Sequence, residues 1–258
     1  MSLPAIIAAA HPTEAGLIAE IPENWMQGRT SYGGLSSALA LEAARRLADD
    51  LPPLRSAQVS FVGPLAGAVD VRVRMLRRGR NASWVSAEVT SEAGVGLTAT
   101  FVFMGAVEST LHLNDMPPPA GLIALDDAKP LPETAGPGFT RHFERRWALP
   151  RSADKLPELL WWVRLKDRAG LDPMVEMVMI ADALPPGVMP LMSNWIPVSS
   201  MTWLCNLLTP QPVTRDGWWL LRAAGNYAED GSSSQDMAIW NTDGAAIAAG
   251  LQSVAIVG

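Results

Sequence analysis

The chain has 258 residues, of which 48% are hydrophobic and only 18% are charged, so it carries enough apolar material for a large core. Its formal net charge of -6 repels phosphate polymers, and we therefore expect no nucleic-acid partner. The single cysteine, Cys205, excludes an internal disulfide and favours a reducing, cytoplasmic location.

The first apolar run, at residues 3–10, lacks the basic flank of a secretory signal and is followed by HPTE. We expect neither a signal peptide nor a membrane anchor here, and no membrane partner.

Helical spacing of apolar residues begins after Gly33 and Gly34 and stops at the Asp-Asp and proline of 49–52. This spacing predicts a buried helix over 34–47.

Strict alternation of apolar and polar residues follows that helix. Segments 57–61 and 69–75 alternate in this way, which predicts half-buried antiparallel strands. Gly79, Asn81 and Gly94 supply the permissive backbone of hairpin turns. One helix with four or five antiparallel strands is typical of the hot-dog fold.

Six prolines fall between positions 117 and 137, in a stretch without sustained periodicity. Such a stretch is typical of a linker. We predict an N-terminal unit over 1–108, a proline-rich linker over 109–138 and a C-terminal unit over 139–258.

The second half repeats the order of the first half: a helix, a strand that ends at a proline, and then several antiparallel strands. Asp172 and Pro173 are suited to the N-cap and first position of a helix over 174–184. Strands are predicted at 199–207, 218–227, 235–241 and 245–257. The duplication predicts an α+β protein with two tandem hot-dog units, in which an antiparallel sheet wraps around two central helices.

Three polar residues in the second half have apolar surroundings. Asp182 lies near the end of the second helix, where a carboxylate is costly unless it is hydrogen-bonded. Gln252 shares a strand face with Val254 and needs a partner for its amide. Alternation along the predicted strand at 199–207 places Ser200 with Thr202, on the face opposite Trp203. Taken singly, these three have ordinary explanations as a helix-end carboxylate, a satisfied core amide and a strand serine.

Asp182, Ser200 and Gln252 coincide with a family pattern. The chain resembles the acyl-CoA thioesterase II family, the double hot-dog thioesterases, which carry an Asp on the second helix, a Thr or Ser at the start of the next strand and a Gln on the last strand. The segment GRTSYGG at 28–34 is a further match, and the resemblance covers nearly the whole chain. After the Asp the family usually carries a His-Ser and an aromatic-His-Arg-Pro run, whereas this chain has MTWLCNLLTP.

The resemblance implies an enzyme that hydrolyses acyl-CoA to free acid and CoA without a cofactor. In the implied mechanism Asp182 polarises a water that Ser200 and Gln252 help to hold, and this water attacks the acyl carbonyl directly. An N–H group at Gly33 or Gly34 receives the carbonyl oxygen, unless these glycines only allow a tight helix entry.

Other functions remain as alternatives. The first is a non-catalytic acyl-CoA or acyl-thioester binding protein on the same fold. A hot-dog dehydratase would need a histidine on a helix, which neither predicted helix has, and Cys205 lies among apolar neighbours that are typical of a core position. Three isolated histidines and one cysteine offer no metal cluster, so we expect no metal. The low charge and the sheet edges leave association into a homo-oligomer open.

Overall fold

Alternating apolar residues build a large antiparallel sheet, as the sequence predicts. The computed structural model describes residues 1–133, 136–150, 155–194 and 196–256. Its helices are α1 Leu3–Ala9, α2 Gly33–Arg45 and α3 Pro173–Ala181. Its strands are β1 His11–Thr13, β2 Gly16–Ile21, β3 Met26–Gln27, β4 Thr30–Ser31, β5 Leu54–Phe61, β6 Gly67–Arg78, β7 Ala82–Ser91, β8 Gly94–Met104, β9 Phe143–Trp147, β10 Glu158–Leu165, β11 Val198–Leu207, β12 Trp219–Glu229, β13 Ser232–Trp240 and β14 Ala246–Ile256.

Twelve of these strands form one sheet, in which each pairing is antiparallel. The spatial order is β1-β2-β6-β7-β8-β5-β11-β14-β13-β12-β10-β9, so the strands of the two halves follow mirrored orders around the central β5–β11 pair. In that pair Ser60 lies opposite Thr202, and Val59 lies opposite Trp203. The strand that follows each repeated helix therefore joins the two halves.

Helices α2 and α3 pack against each other in opposite directions. At one end, the Tyr32 hydroxyl beside the start of α2 donates to the Met179 carbonyl near the end of α3 at 2.7 Å. At the other end, Arg45 pairs with Asp172, the N-cap of α3, at 3.0 Å. Asp172 also accepts N–H bonds from Met174 and Val175, which confirms its predicted capping role. This arrangement brings the last residues of α3 beside the first residues of α2.

The proline-rich segment before β9 covers the sheet face opposite α3. The Trp162 indole donates to the Ile123 carbonyl at 2.9 Å, and the Trp240 indole donates to the Met116 carbonyl at 2.8 Å. Leu125 of this segment is buried in the same apolar cluster. The tryptophans of the second half thus hold part of the connecting segment on the sheet. No helix among the described residues has the length and apolar content that crossing a bilayer requires.

Candidate active site

Asp182 lies where the end of α3 meets the start of α2. It is the C-cap residue of α3 and faces the start of α2. The Gly34 N–H group donates a hydrogen bond to its carboxylate. A β-carbon at Gly33 would lie 2.7 Å from Asp182 Oδ2 and 2.8 Å from Phe61 Cε1, so glycine is what allows this close approach. Both glycines were site candidates from the sequence, and both lie beside Asp182 in the structure.

Among the described residues, the carboxylate of Asp182 is stabilised by hydrogen bonds and has no cation partner. Burial raises its pKa to about 7, because the bonds from Gln252 and Gly34 offset only part of the lost hydration. None of the ion pairs among the described residues includes Asp182. A carboxylate with a pKa near neutrality can accept a proton at physiological pH, which is the property that a general base requires.

Gln252 connects Asp182 to Ser200. Its side chain is buried, with 4% of the residue exposed. Its Nε2 atom donates to Asp182 Oδ1 at 2.9 Å and to Ser200 Oγ at 3.0 Å. The predicted set of three residues, which comes from a helix end and two strands, therefore forms one hydrogen-bonded cluster.

Ser200 lies on a different sheet face from the one that simple alternation predicts. The pairing of β11 with β14 shifts between Ser200 and Thr202, so Met201 is an extra, exposed residue at a β-bulge. A bulge reverses the side-chain alternation beyond it. Ser200 consequently points to the helix side, where Gln252 reaches it, while Thr202 stays exposed on the other side.

Gln235 is a further member of the cluster, which was not predicted from the sequence. It is fully buried on β13, directly opposite Gln252 on β14. Its Nε2 donates to Gln252 Oε1 at 2.6 Å, and its Oε1 accepts from the Gly187 N–H at 2.7 Å. The sequence carries a signal for this, because Gln235 alternates with the polar residues Ser234 and Asp236 and shares its strand face with Met237.

The first half of the chain has an apolar counterpart of this polar cluster. The pairing of β5 with β8 shifts between Leu54 and Ser56, as the pairing of β11 with β14 shifts between Ser200 and Thr202. When these two bulges are matched, the strand registers place Leu54, Phe101 and Val85 at the positions of Ser200, Gln252 and Gln235. All three counterparts are buried. The fold itself therefore does not require polar side chains at these positions.

Cys205 is a core residue, as the sequence indicates. It is buried on β11, and burial raises the pKa of its thiol to about 12. A thiol of this kind is protonated at neutral pH and is a poor nucleophile. Across the ranges that the structure describes, no cluster of three or more His, Cys, Asp or Glu side chains is arranged to hold a metal ion.

Comparison with protein-family models matches both halves of the chain. The acyl-CoA thioesterase N-terminal domain matches residues 21–104, and the acyl-CoA thioesterase C-terminal domain matches residues 119–256. The chain belongs to the acyl-CoA thioesterase family. No match was found among curated protein sequences.

Solved structures related to this acyl-CoA thioesterase family member share its fold. A hot-dog protein of unknown function from Alicyclobacillus acidocaldarius superposes with a TM-score of 0.86 at 18% identity, covering 98% of this chain and 97% of the other. The tesB protein of Mycobacterium avium subspecies paratuberculosis gives 0.75 at 19% identity and covers 100% of both chains. An acyl-CoA thioesterase II, TesB2, from Mycobacterium marinum gives 0.73 at 17% identity, covering 98% of this chain and 96% of that one. At these identities the likeness establishes the hot-dog fold.

Proposed function

We propose that the protein hydrolyses acyl-CoA thioesters to a free acid and CoA by direct attack of water. The observation that carries this proposal is the buried Gln252 amide, which joins the Asp182 carboxylate to the Ser200 hydroxyl. Asp182 supplies a proton acceptor without a cation partner in the described residues, and Ser200 keeps a hydroxyl at a half-buried, accessible position. Membership of a thioesterase family agrees with this chemistry.

The proposed reaction has two steps. Asp182 takes a proton from water while the water oxygen forms a bond to the acyl carbon, and the carbonyl electron pair moves onto oxygen. The tetrahedral intermediate then collapses, the C–S bond breaks, and the CoA sulfur leaves with the proton that Asp182 accepted. The products are a carboxylic acid, which ionises in water, and the CoA thiol. No covalent enzyme intermediate is needed.

Gln252 acts by holding its two neighbours. Its Nε2 donates to Asp182 and Ser200 and its Oε1 accepts from Gln235, so both of its donors are used within the cluster. Ser200 Oγ accepts one of these bonds and retains its own O–H donor, which we assign to the attacking water or the thioester.

The carbonyl oxygen of the thioester is proposed to bind at the start of α2. The Gly34 N–H donates to Asp182, which leaves the neighbouring Gly33 N–H as the group that we assign to the developing negative charge. The first N–H groups of a helix have no partner within the helix, and its dipole favours negative charge there.

The proposed architecture is a double hot-dog, with units at 1–108 and 139–258 and a linker at 109–138. Support comes from the mirrored strand order around β5 and β11 and from the antiparallel packing of α2 on α3. On this proposal the active site lies between the two units, since Gly33 comes from the first and Asp182 from the second. We further propose that the enzyme acts in the cytoplasm without a metal or cofactor, and self-association into a homo-oligomer stays a prediction.

The alternative function is that of a non-catalytic acyl-thioester binding protein on the same fold. An assay of thiol release distinguishes hydrolysis from binding. Purified protein is incubated with acyl-CoAs of increasing chain length, and the released thiol is measured with a colorimetric reagent. Hydrolysis predicts catalytic thiol release with at least one chain length. Tight binding of acyl-CoA, measured by calorimetry, without thiol release would favour the alternative.

A further inference from the structure

We propose that Gln235 is a positioning residue for the hydrolytic site, which fixes the Gln252 amide in the orientation that points its nitrogen at Asp182 and Ser200. The inference rests on the proposed function and extends it to a residue that contacts neither water nor thioester. Its basis is the direction of four connected hydrogen bonds, which run from Gly187 through Gln235 to Gln252 and from there to Asp182 and Ser200.

The direction of these bonds is set by a backbone group. A peptide N–H can only donate, so the Gln235 side chain must present its Oε1 to the Gly187 N–H, at 2.7 Å. Its Nε2 then faces Gln252 and donates to Oε1 of that residue at 2.6 Å. Gln252 in turn must direct its Nε2 away from Gln235, toward Asp182 Oδ1 and Ser200 Oγ.

The opposite orientation of Gln252 is unfavourable at both ends. A flipped Gln252 would place its Nε2 against the Gln235 Nε2, so that two donors face each other, and its Oε1 against the Asp182 carboxylate, so that two acceptors face each other. Gln235 has 0% of its surface exposed and Gln252 has 4%, so water is not at hand to satisfy the mismatched groups. An unpaired buried polar group costs more free energy than an ordinary hydrogen bond contributes.

Packing alone does not explain a glutamine at position 235. The counterpart in the first half is Val85, paired with Phe101 where Gln235 is paired with Gln252. An apolar pair satisfies the sheet there, whereas two buried amides bring a desolvation cost that only a complete network offsets. The polar pair occurs in the half whose strands carry Ser200 and Gln252 beside Asp182.

The pKa of the Asp182 carboxylate depends on this orientation. Its neighbours from α2 are Gly33, Gly34 and Tyr32, with Phe61 from β5. Tyr32 is a titratable side chain that interacts electrostatically with Asp182, and burial, followed by the charge of Asp182, raises its pKa well above the ordinary value. Tyr32 is therefore neutral at working pH, and the hydrogen bond from Gln252 lowers the pKa of Asp182.

The test compares Gln235→Met, which has a similar volume and no donor, with a control, Ser233→Ala. Ser233 is buried on the same face of β13, two residues away, and its hydroxyl donates to the Val254 carbonyl at 3.4 Å and not to Gln252. The readout is the pH titration of the Asp182 side-chain carbon by NMR, assigned with Asp182→Asn, which needs no substrate. We expect Gln235→Met to raise the Asp182 pKa by about one pH unit, because the bond from Gln252 is weakened. Ser233→Ala should leave the titration where it is in the wild type.

A second variant and a measurement on the wild type test the same positioning role independently. Gln235→Asn retains an amide that is one methylene too short to bridge Gly187 and Gln252, and it should shift the titration in the same direction. In the wild type, side-chain N–H protons of Gln235 and Gln252 should exchange slowly with solvent, since both amides are buried and bonded. Rapid exchange, or an unmoved Asp182 titration in either folded variant, overturns the positioning role.

Kinetics separate this inference from the proposed function. An increase of one pH unit in the Asp182 pKa lowers the ionised fraction at pH 7 about five-fold, and thiol release should fall by at least that factor in Gln235→Met. In a Gln252→Ala background the same substitution should have no further effect on the pH profile, because Gln235 acts through Gln252. If the wild type releases no thiol, the proposed hydrolysis fails while the titration still tests Gln235. If hydrolysis is present and its pH profile does not move in Gln235→Met, only the positioning role fails.

Discussion

Glu42 of α2 and Asp182, the C-cap of α3, each follow the first residue of their helix by nine positions, yet their carboxylates have opposite surroundings. Glu42 pairs with Arg45 at 3.2 Å and with Arg46 at 2.7 Å. Asp182 instead receives hydrogen bonds from Gln252 and Gly34. One carboxylate is neutralised by cations, and the other is kept available to bind a proton.

The contrast predicts that Glu42→Gln leaves acyl-CoA hydrolysis unchanged and reduces stability. The Glu42 side chain is 7% exposed and its arginine partners are about two-fifths exposed, so loss of the ion pairs should cost about 1–2 kcal/mol after screening by solvent. Chemical denaturation checks the stability, and thiol release checks the activity. A loss of activity with unchanged stability would contradict this prediction, because it would indicate that the Glu42 carboxylate acts in catalysis.

Hydrolysis should depend on the ionised form of Asp182. With a pKa of about 7, the rate constant kcat/KM should fall about ten-fold for each pH unit below that value and level off above it. Measurement of thiol release from pH 5 to pH 9 gives this profile. A flat profile across pH 7 would show that proton transfer to Asp182 does not limit the reaction.

Stability should depend on pH in the opposite sense. The pKa of Asp182 is raised in the folded state from its ordinary value of 3.8 to about 7, so between these values the folded state holds a proton that the unfolded state has lost. The free energy of unfolding should therefore decrease as pH rises from about 4 to 7, by roughly 2–4 kcal/mol from this group. Asp182→Asn should flatten that dependence in thermal melts at a series of pH values. An equal decrease in wild type and variant would assign it to other groups.

Gly33→Ala and Gly34→Ala should have different consequences. A methyl group at Gly33 would meet the ends of the Asp182 and Phe61 side chains, so it should displace the carboxylate and reduce the rate by about ten-fold or more with a small change in Tm. A methyl group at Gly34 would lie 2.5 Å from the Met179 carbonyl oxygen, which is backbone, and should cost about 1–3 kcal/mol of stability. Parallel melting curves and rate measurements check both. Full activity in a folded Gly33→Ala protein would contradict the close approach of Gly33 to the reacting groups.

Regular patterns in the sequence predicted the elements that regular packing determines. The helix at 34–47 is observed at Gly33–Arg45, and the strand at 199–207 is observed at Val198–Leu207. The last strand was predicted over 245–257; it is observed at Ala246–Ile256, and position 257 lies outside the described residues. Apolar spacing suffices for such elements because burial of one face decides their periodicity.

Irregular features of the site could not be predicted from apolar spacing. Ser200 faces Gln252 because of the bulge at Met201, and a bulge leaves no trace in a simple alternation of residues. The bond between Gly187 and Gln235 joins a loop after α3 to β13, and only the tertiary arrangement brings them together. Singling out Asp182, Ser200 and Gln252 depended on resemblance to a family as much as on their apolar surroundings.

Water activation by Asp182 is tested most directly by the initial rate of thiol release from acyl-CoA, measured for Asp182→Asn and for wild type at pH 8. Asparagine keeps the shape of the side chain and an acceptor for Gln252 but cannot take a proton from water. Loss of the proton acceptor should lower the rate by roughly 10² to 10⁴, with the variant folded as judged by circular dichroism. A folded Asp182→Asn protein that hydrolyses acyl-CoA at the wild-type rate would contradict water activation by Asp182.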